Sequence, residues 1–391
     1  MRLVHTSDWH LGRSLGGVGL LGAQALVLDD LVATVRREQV DAVLVSGDVY
    51  DKALPNPDAV TLLSETFERL VDAGAQVVVT SGNHDSAIRL GFASRLLQRA
   101  GLHVRTSLAE VGTPVLVAGV AIYPLPYLEP ALTADALQAS RRSHAAVLEA
   151  AMTRVRADLA SRGGPSVVMG HAFVSGGLSC ESERDISIGG VAAVPVETFA
   201  GVSYAALGHL HGRQQAGPNV HYSGSPVAMS FGEAGHVKGY AVVEIEGMAA
   251  PRVELVRAPV ERALAVLRGR LEELLTQPQY AAAETSFVAV TLTDPVRPLG
   301  AMDRIRRRFP HAIKLEWQPE GGLGQERRTY AARIADRSDL DICCDFLAHV
   351  RGGVAAGPGE RRLLREAVEA SRVGRAVREE EGVVTPASGV A

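Results

Sequence analysis

Cysteine is scarce: 391 residues carry three, Cys180, Cys343 and Cys344. Three thiols, two of them adjacent, supply neither a zinc cluster nor a disulfide framework, because neighbouring cysteines rarely bridge each other. That usage suits a reducing compartment. Long apolar runs are missing as well. The longest weakly polar stretch, Gly16–Leu28, is broken by glycines and Gln24 and is too short to span a bilayer. The opening residues, MRLVHTSDWH, contain no basic-then-apolar leader, so the expected location is cytoplasmic. Neither charge sign dominates: 40 Lys+Arg against 44 Asp+Glu give a net charge of −4. Bulk charge therefore does not announce a nucleic-acid binder. It does not exclude one, since bound divalent cations and local arginine clusters can attract phosphate. What is present is length and apolar content. At ~150 residues per domain the chain makes two or three domains. Its 47% hydrophobic content is enough for a large unstapled core, which excludes intrinsic disorder.

Short apolar runs recur from the N-terminus to about residue 260. They are Arg2–Thr6, Asp41–Ser46, Gln76–Ser81, Val115–Ile122, Ser166–Met169, Tyr204–Leu207 and Tyr240–Ile245. Helical patterns separate the first of them, such as Ala59–Ala73 with Leu62, Leu63, Phe67 and Leu70 on one face. This alternation predicts an α/β layered domain with a mixed sheet, its strands buried on both faces. A second unit is expected near residues 275–335. There Phe287–Thr293 and Ile313–Trp317 alternate around an arginine-rich helix, Asp303–Phe309, as in a small β-α-β module. Two helical stretches follow from residue 338, separated by the Gly-Pro-rich segment Gly352–Gly359. Leu340, Cys343, Leu347 and Val350 share one stripe, and Leu363, Leu364, Ala367 and Val368 another. Such stripes either pack back on the body or bind a partner. The last residues, EEEGVVTPASGVA, read as frayed.

Five polar clusters stand where apolar strands stop: Asp8-Trp9-His10, Gly47–Asp51, Gly82–Asp85, Gly170-His171 and Gly208–His211. In α/β sheets, side chains just past the strand C-termini converge on one crevice. Glycine before the polar residue permits a sharp turn and close backbone approach. Alone, each cluster is most simply a turn, a helix cap or a surface histidine. Together they hold five of the twelve histidines, each in a cluster behind a strand, and the joint pattern outweighs the separate bland readings. Aspartate, histidine and asparagine in mixed sets bind borderline divalent ions such as manganese, iron or zinc. Six to eight such ligands suffice for two ions. An aspartate shared by two ions, with a water activated between them, is the chemistry of phosphoester hydrolysis.

The ordered set resembles the calcineurin-like metallophosphoesterase superfamily and, within it, the SbcD family of nuclease subunits of bacterial SbcCD complexes. The residues that carry the resemblance are HTSDWHLGR (His5–Arg13), SGDVYD (Ser46–Asp51), SGNHDS (Ser81–Ser86) and SCESERDISIGG (Ser179–Gly190), followed by GHLHGRQ and YSGSP. The fold it implies is a four-layer α-β-β-α sandwich with a small β-α-β capping domain and C-terminal helices. The corresponding boundaries are 1–270 for the nuclease domain, 271–335 for a DNA-binding cap and 336–391 for helices that dock an SbcC ATPase. It further implies a pair of Mn²⁺ ions, other divalent cations being possible. Asp8, His10 and His211 would hold one ion and Asn83, His171 and His209 the other, with Asp48 bridging. His84 would be catalytic, bonding a phosphate oxygen or protonating the leaving alkoxide. Asp85 is expected to cap the following helix rather than orient His84. Asp51 stands where archaeal and eukaryotic relatives carry a histidine and is read as a hydrogen-bond partner of a ligand histidine, with a plain turn role close behind. Arg13 is read as an ion pair before a phosphate contact.

Other residues carry plainer expectations. His5 and His103 are core or edge residues. Glu181, Glu183 and Arg184 form a solvated loop, with a DNA or regulatory role as the sharper alternative. Arg304, Arg306, Arg307 and Arg308 either line the wet face of a helix or touch a nucleic-acid backbone. Leu62, Leu63, Phe67, Leu70, Leu90, Leu96 and Leu97 are core, though helices in this region form a dimer bundle in the SbcD family. Three functions compete. A metal-free scaffold should have lost some ligands, and here all are present. A phosphoprotein phosphatase carries arginine and glycine after the second aspartate of its second motif, where this chain reads Asp51-Lys52-Ala53. A phosphatase or phosphodiesterase of small phosphoesters leaves the second unit and the helical tail without a use. The expected function is a metal-dependent DNA nuclease with 3′→5′ exonuclease and single-strand or hairpin endonuclease activity. It would act as a dimer with SbcC in DNA repair, recombination and replication.

Overall fold

A computed structural model describes residues 1–183, 186, 193–320, 338–351 and 354–381, with side chains through residue 371. Arg184, most of Asp185–Gly190 and the final ten residues lie outside the described residues. Two six-stranded sheets dominate. In the first, the strands run in the order Arg252–Arg257, Gly239–Glu244, Arg2–Thr6, Ala42–Ser46, Gln76–Thr80, Leu102–Arg105. The second runs Gln214–Gly217, Val220–Tyr222, Tyr204–Gly208, Ser166–His171, Val120–Pro124, Val115–Val117. In the first sheet pairing is antiparallel from Arg252–Arg257 to Arg2–Thr6 and parallel from there to the Leu102–Arg105 edge; in the second it is parallel through the middle and antiparallel at both ends.

Three buried clusters account for the layering. Leu3, Leu44, Val78, Ile122, Val167, Met169 and Tyr204 fill the space between the sheets. Val4, Val43, Val45, Val77 and Val79 face the other way, onto helices Leu21–Glu38 and Pro57–Asp72. On the opposite side, Tyr123, Val168, Ala205 and Leu207 pack with Val147, Leu148, Met152 and Val155 of helix His144–Arg162. Each central strand thus buries both faces, which is why it reads as a continuous apolar run rather than an alternation. The four layers α-β-β-α follow.

The strand expected over Val115–Ile122 is instead a hairpin. Ala118 (φ 45°) and Gly119 (φ 79°) turn the chain, and Val115–Val117 pairs with Val120–Ile122. A separate three-stranded parallel sheet, Leu264–Gly269, Phe287–Leu292 and Ala312–Trp317, packs on helices Leu271–Thr276 and Ala301–Arg308 through Leu271, Leu274, Val288, Val290, Ile305 and Phe309. It includes Leu264–Gly269, ahead of residue 271, so the unit is β-α-β-α-β. A small seam of Leu15, Leu20, Met229, Val227, Phe231, Leu264, Phe287 and Ile313 joins this unit to the body. Helix Asp339–Val350 packs on helix Pro358–Glu381, which also meets helices Ala87–Leu90 and Pro130–Leu137. No helix among the described residues is long and apolar enough to cross a membrane.

Candidate dinuclear metal centre

The five clusters meet at one end of the two sheets. Asp8 and His10 follow strand Arg2–Thr6, Asp48 and Asp51 follow Ala42–Ser46, and Asn83 and His84 follow Gln76–Thr80. The second sheet delivers His171 at the end of Ser166–His171, and His209 and His211 beyond Tyr204–Gly208. The first two loops are laced by backbone bonds from Asp8 N to Gly47 O (3.1 Å), His10 N to Asp48 O (2.9 Å) and Leu11 N to Val49 O (2.9 Å). Asp8 (φ 54°), His10 (φ 44°), Asp48 (φ 50°) and His209 (φ 100°) all have positive φ. Non-glycine residues in this region are strained, and such strain gathers at functional sites. Glycine is required where loops cross: a Cβ on Gly82 would fall 2.1 Å from Asp48 Oδ1.

Asp48 sits at the centre. Its Oδ2 lies 3.4 Å from both His10 Nε2 and His171 Nε2, and its Oδ1 accepts from His84 N at 2.8 Å. On one side, ligand atoms of Asp8, His10 and His211 lie within 4.8 Å of one another, with His10 Nε2 and His211 Nε2 3.1 Å apart. On the other, Asn83 Oδ1 lies 2.9 Å from His171 Nε2 and 3.3 Å from His209 Nδ1. His171 Nδ1 donates to Ser46 O (3.0 Å), which leaves Nε2 unprotonated toward the pocket in the neutral ring. All seven expected ligand residues therefore share one pocket. His84 stands beside them: its ring meets that of His10 edge-on at 4.7 Å, and its Nδ1 donates to Asp51 O at 2.8 Å. A nitrogen of His84 also falls within ligand distance of His10 and Asp48.

The donor set fits borderline divalent cations: carboxylates, an amide oxygen and imidazoles. Burial is nearly complete, and His10 Nδ1 has no hydrogen-bond partner. The charges are balanced uneasily. Burial pushes Asp8 up to about 6 against the pull of His171 and His211. Burial also opposes the charge on Asp48, but His171, His84 and His10 hold it well below the usual carboxylate range. His171 is the counterpart: desolvation disfavours its proton, yet Asp48 raises it to about 9. His10 and His209 are pushed well below ordinary imidazole, chiefly by burial.

Asp85, Asp51 and Glu183 differ from expectation, while Arg13, His5 and His103 follow it. Asp85 does not cap a helix; Ser86 caps Ala87–Leu90, accepting from Arg89 N at 3.3 Å. The Asp85 carboxylate is buried and accepts from Gly82 N (2.8 Å), Tyr50 N (2.9 Å) and Val49 N (3.1 Å), tying the second loop to the third. Arg13 pairs with Asp51 at 3.0 Å and donates to Ser182 O at 2.7 Å. Asp51 Oδ1 lies 3.7 Å from His10 Nδ1, too long for a hydrogen bond. Glu183 is not a solvated loop residue, because it accepts from His211 N (2.6 Å) and Cys180 N (2.9 Å). Glu181 is exposed. His5 is buried between Tyr204 and Leu207, and His103 bonds Gln76. Three arginines of Ala301–Arg308 find partners inside their unit: Arg304 on Glu272, Arg306 on Ala312 O and Arg308 on Glu284 and Leu274 O.

Gln24, Ser182, Glu233 and Lys238 escape a sequence reading. Gln24 donates to Trp9 O (2.9 Å) and His10 O (2.7 Å) from a helix whose only sequence signal is a polar residue in an apolar stretch. Ser182 bonds His211 Nδ1 (2.7 Å) and Glu233 Oε1 (2.5 Å), while Lys238 contacts the other Glu233 oxygen. Ser7 bonds Asp8 (2.5 Å) and Ser223 (2.9 Å); the only sequence hints are that Ser7, Ser182 and Ser223 fall within HTSDWHLGR, SCESERDISIGG and YSGSP.

Fold, pocket and likeness to known proteins now agree on the class. Residues 1–213 match the calcineurin-like phosphoesterase family and 260–351 the type 5 capsule protein repressor C-terminal domain; the chain belongs to the calcineurin-like phosphoesterases. Within that class it stands with the SbcD nuclease subunits. It is 30% identical over 321 residues to the SbcD component of the SbcCD nuclease from Staphylococcus saprophyticus, covering 81% of this chain and 84% of that one. The SbcD component of the same nuclease from Staphylococcus epidermidis is 29% identical over 320 residues, covering 81% and 85%.

Proposed function

We propose that the pocket holds two divalent cations, Mn²⁺ the expected species, and that the chain is the nuclease subunit of an SbcCD-type complex that hydrolyses DNA phosphodiesters. The observation that carries this reading is Asp48 Oδ2, 3.4 Å from an imidazole nitrogen on each side, between two ligand sets. Asp8, His10 and His211 would hold one ion, Asn83, His171 and His209 the other, and Asp48 both. When bound, such ions lower the pKa of a water to near neutrality and offset the charge that builds on a phosphate.

The residues of the chain do the rest. Ser46 O fixes the tautomer of His171, and Asp8 is braced by Ser7 and the His209 amide. Asp51 O holds the proton on His84 Nδ1, so Nε2 is the atom left to carry a second proton to the leaving 3′-oxygen. Cleavage is proposed to run 3′→5′ on duplex ends and endonucleolytically on single strands and hairpins. The unit over 264–317 is proposed as the DNA-facing cap. Helices Asp339–Val350 and Pro358–Glu381 are the proposed seat of an SbcC ATPase, since Phe346, Val350, Val354 and Leu363 stay exposed. Ile88, Phe92 and Leu96 form a second exposed apolar set, 65–81% accessible, which supports a homodimer through this region.

The test is a side-by-side assay with Mn²⁺ on hairpin or single-stranded DNA, a small phosphodiester and a phosphomonoester. Metal-dependent turnover confined to DNA is expected. Faster turnover of the phosphomonoester would replace this reading with a small-molecule phosphatase.

A further inference from the structure

We infer that Ser182 and Glu233 form a positioning relay that fixes the tautomer of His211 and aims its Nε2 at the cation side of the pocket. This rests on the two-cation reading and adds residues that make no contact with the ions in that scheme.

The argument is a count of protons. Ser182 has one hydroxyl proton and faces two partners, His211 Nδ1 at 2.7 Å and Glu233 Oε1 at 2.5 Å. Glu233 is 1% exposed, and Lys238 contacts its Oε2. That contact with a buried ammonium makes Glu233 the anion of an ion pair. Met229 N (3.2 Å) and Ser230 Oγ (3.1 Å) also donate to Oε1. An ionised carboxylate only accepts. Ser182 must therefore give its proton to Glu233 and receive one from His211 Nδ1–H. The neutral His211 ring then has its lone pair on Nε2, the atom 3.1 Å from His10 Nε2. With the opposite tautomer, Ser182 would donate to Nδ1 and leave two oxygen lone pairs facing each other at 2.5 Å.

His171 receives the same service from a backbone carbonyl. For His211 it comes from two side chains on separate segments, Glu233 held by Lys238 and Ser182 by Arg13, which donates to its carbonyl. Lys238 Nζ donates to His211 O and Ser225 Oγ, both at 2.9 Å, and the turn Phe231–Glu233 is seated on the seam with Leu264 and Phe287. Outer partners of this kind orient a ligand histidine and commonly change metal affinity ~10–100-fold when removed.

The test uses the full chain with ¹⁵N-labelled histidine, its His211 ring signals assigned through His211→Ala. In the metal-free wild type, His211 should carry its proton on Nδ1, and Ser182→Ala should shift the ring toward the other tautomer. In Mn²⁺ titrations followed by calorimetry, Ser182→Ala should weaken one of two ions ~10–100-fold and leave the second near wild type. Ser182→Thr, which keeps the hydroxyl, should restore both readouts. A wild-type proton on Nε2, or a Ser182→Ala chain with unchanged tautomer and both affinities intact, would overturn the relay. A wild-type chain that takes up fewer than two ions would sink the two-cation reading instead, and the ring spectrum would still decide the relay.

Discussion

Asp48 and His84 are neighbours with different proposed tasks, and substitution separates them. Asp48→Ala should empty or disorder both cation positions, read as loss of Mn²⁺ stoichiometry. His84→Ala should keep near-normal metal content while turnover falls ~10²–10⁴-fold, the usual share of general acid catalysis. Loss of an ion from His84→Ala would make that ring a ligand instead. Asp85 offers a stability test, because its carboxylate accepts three buried N–H groups. Asp85→Asn turns an amide donor toward those donors and should cost ~1–3 kcal/mol, measured by denaturant unfolding. His5 gives a pH test. Burial, with His221 adding to it, holds His5 at about 3 in the folded chain against 6.5 ordinarily. The unfolded chain therefore binds the proton first, so stability present above 6.5 is lost as pH falls toward 3. His5→Gln should flatten the dependence of unfolding free energy on pH just below 6.5 by up to about 1.4 kcal/mol per unit. An unchanged slope would contradict it. At this scale the proposed ligands are legible because a polar residue follows each of five apolar runs, with glycine before it in four of them. Gln24, Glu233 and Lys238 are not, because contact between distant segments, as between Ser182 and His211, leaves no local pattern.

Among the elements, strands such as Ala42–Ser46 and Gln76–Thr80 are readable since burial on both faces demands unbroken apolar runs. The hairpin at Val115–Pro124 is hidden because only Ala118-Gly119 interrupts its two strands. Leu264–Gly269 falls before the expected boundary, since Pro259 is the only glycine or proline between it and strand Arg252–Arg257 and Gly269 marks its end. The apolar pattern places Leu96 in the core, yet it is 65% exposed beside Phe92 (81%) and Ile88 (75%). Phe92→Asp should shift the chain from dimer to monomer by light scattering, with the thermal midpoint little changed because the side chain is already exposed. A dimer that survives the substitution would place the interface elsewhere. Removing residues 338–391 should abolish SbcC binding and leave slow Mn²⁺-dependent cleavage.

For the whole molecule, two sheets end at one edge and bring residues 8 and 211 into the same few ångströms. The sequence order of the motifs suffices to suggest that convergence, since parallel strands place their C-termini together. The layering of the two sheets came from resemblance, as alternating α and β signals do not say how many sheets they build. With a net charge of −4, attraction of DNA would fall to the proposed cations and to local surface, so cleavage should fall to background with a chelator and return with Mn²⁺. The most direct measurement is anomalous scattering at the manganese edge from crystals soaked in Mn²⁺. Two peaks flanking Asp48, one among Asp8, His10 and His211 and one among Asn83, His171 and His209, are predicted; one peak or none, with those side chains otherwise engaged, would contradict the account.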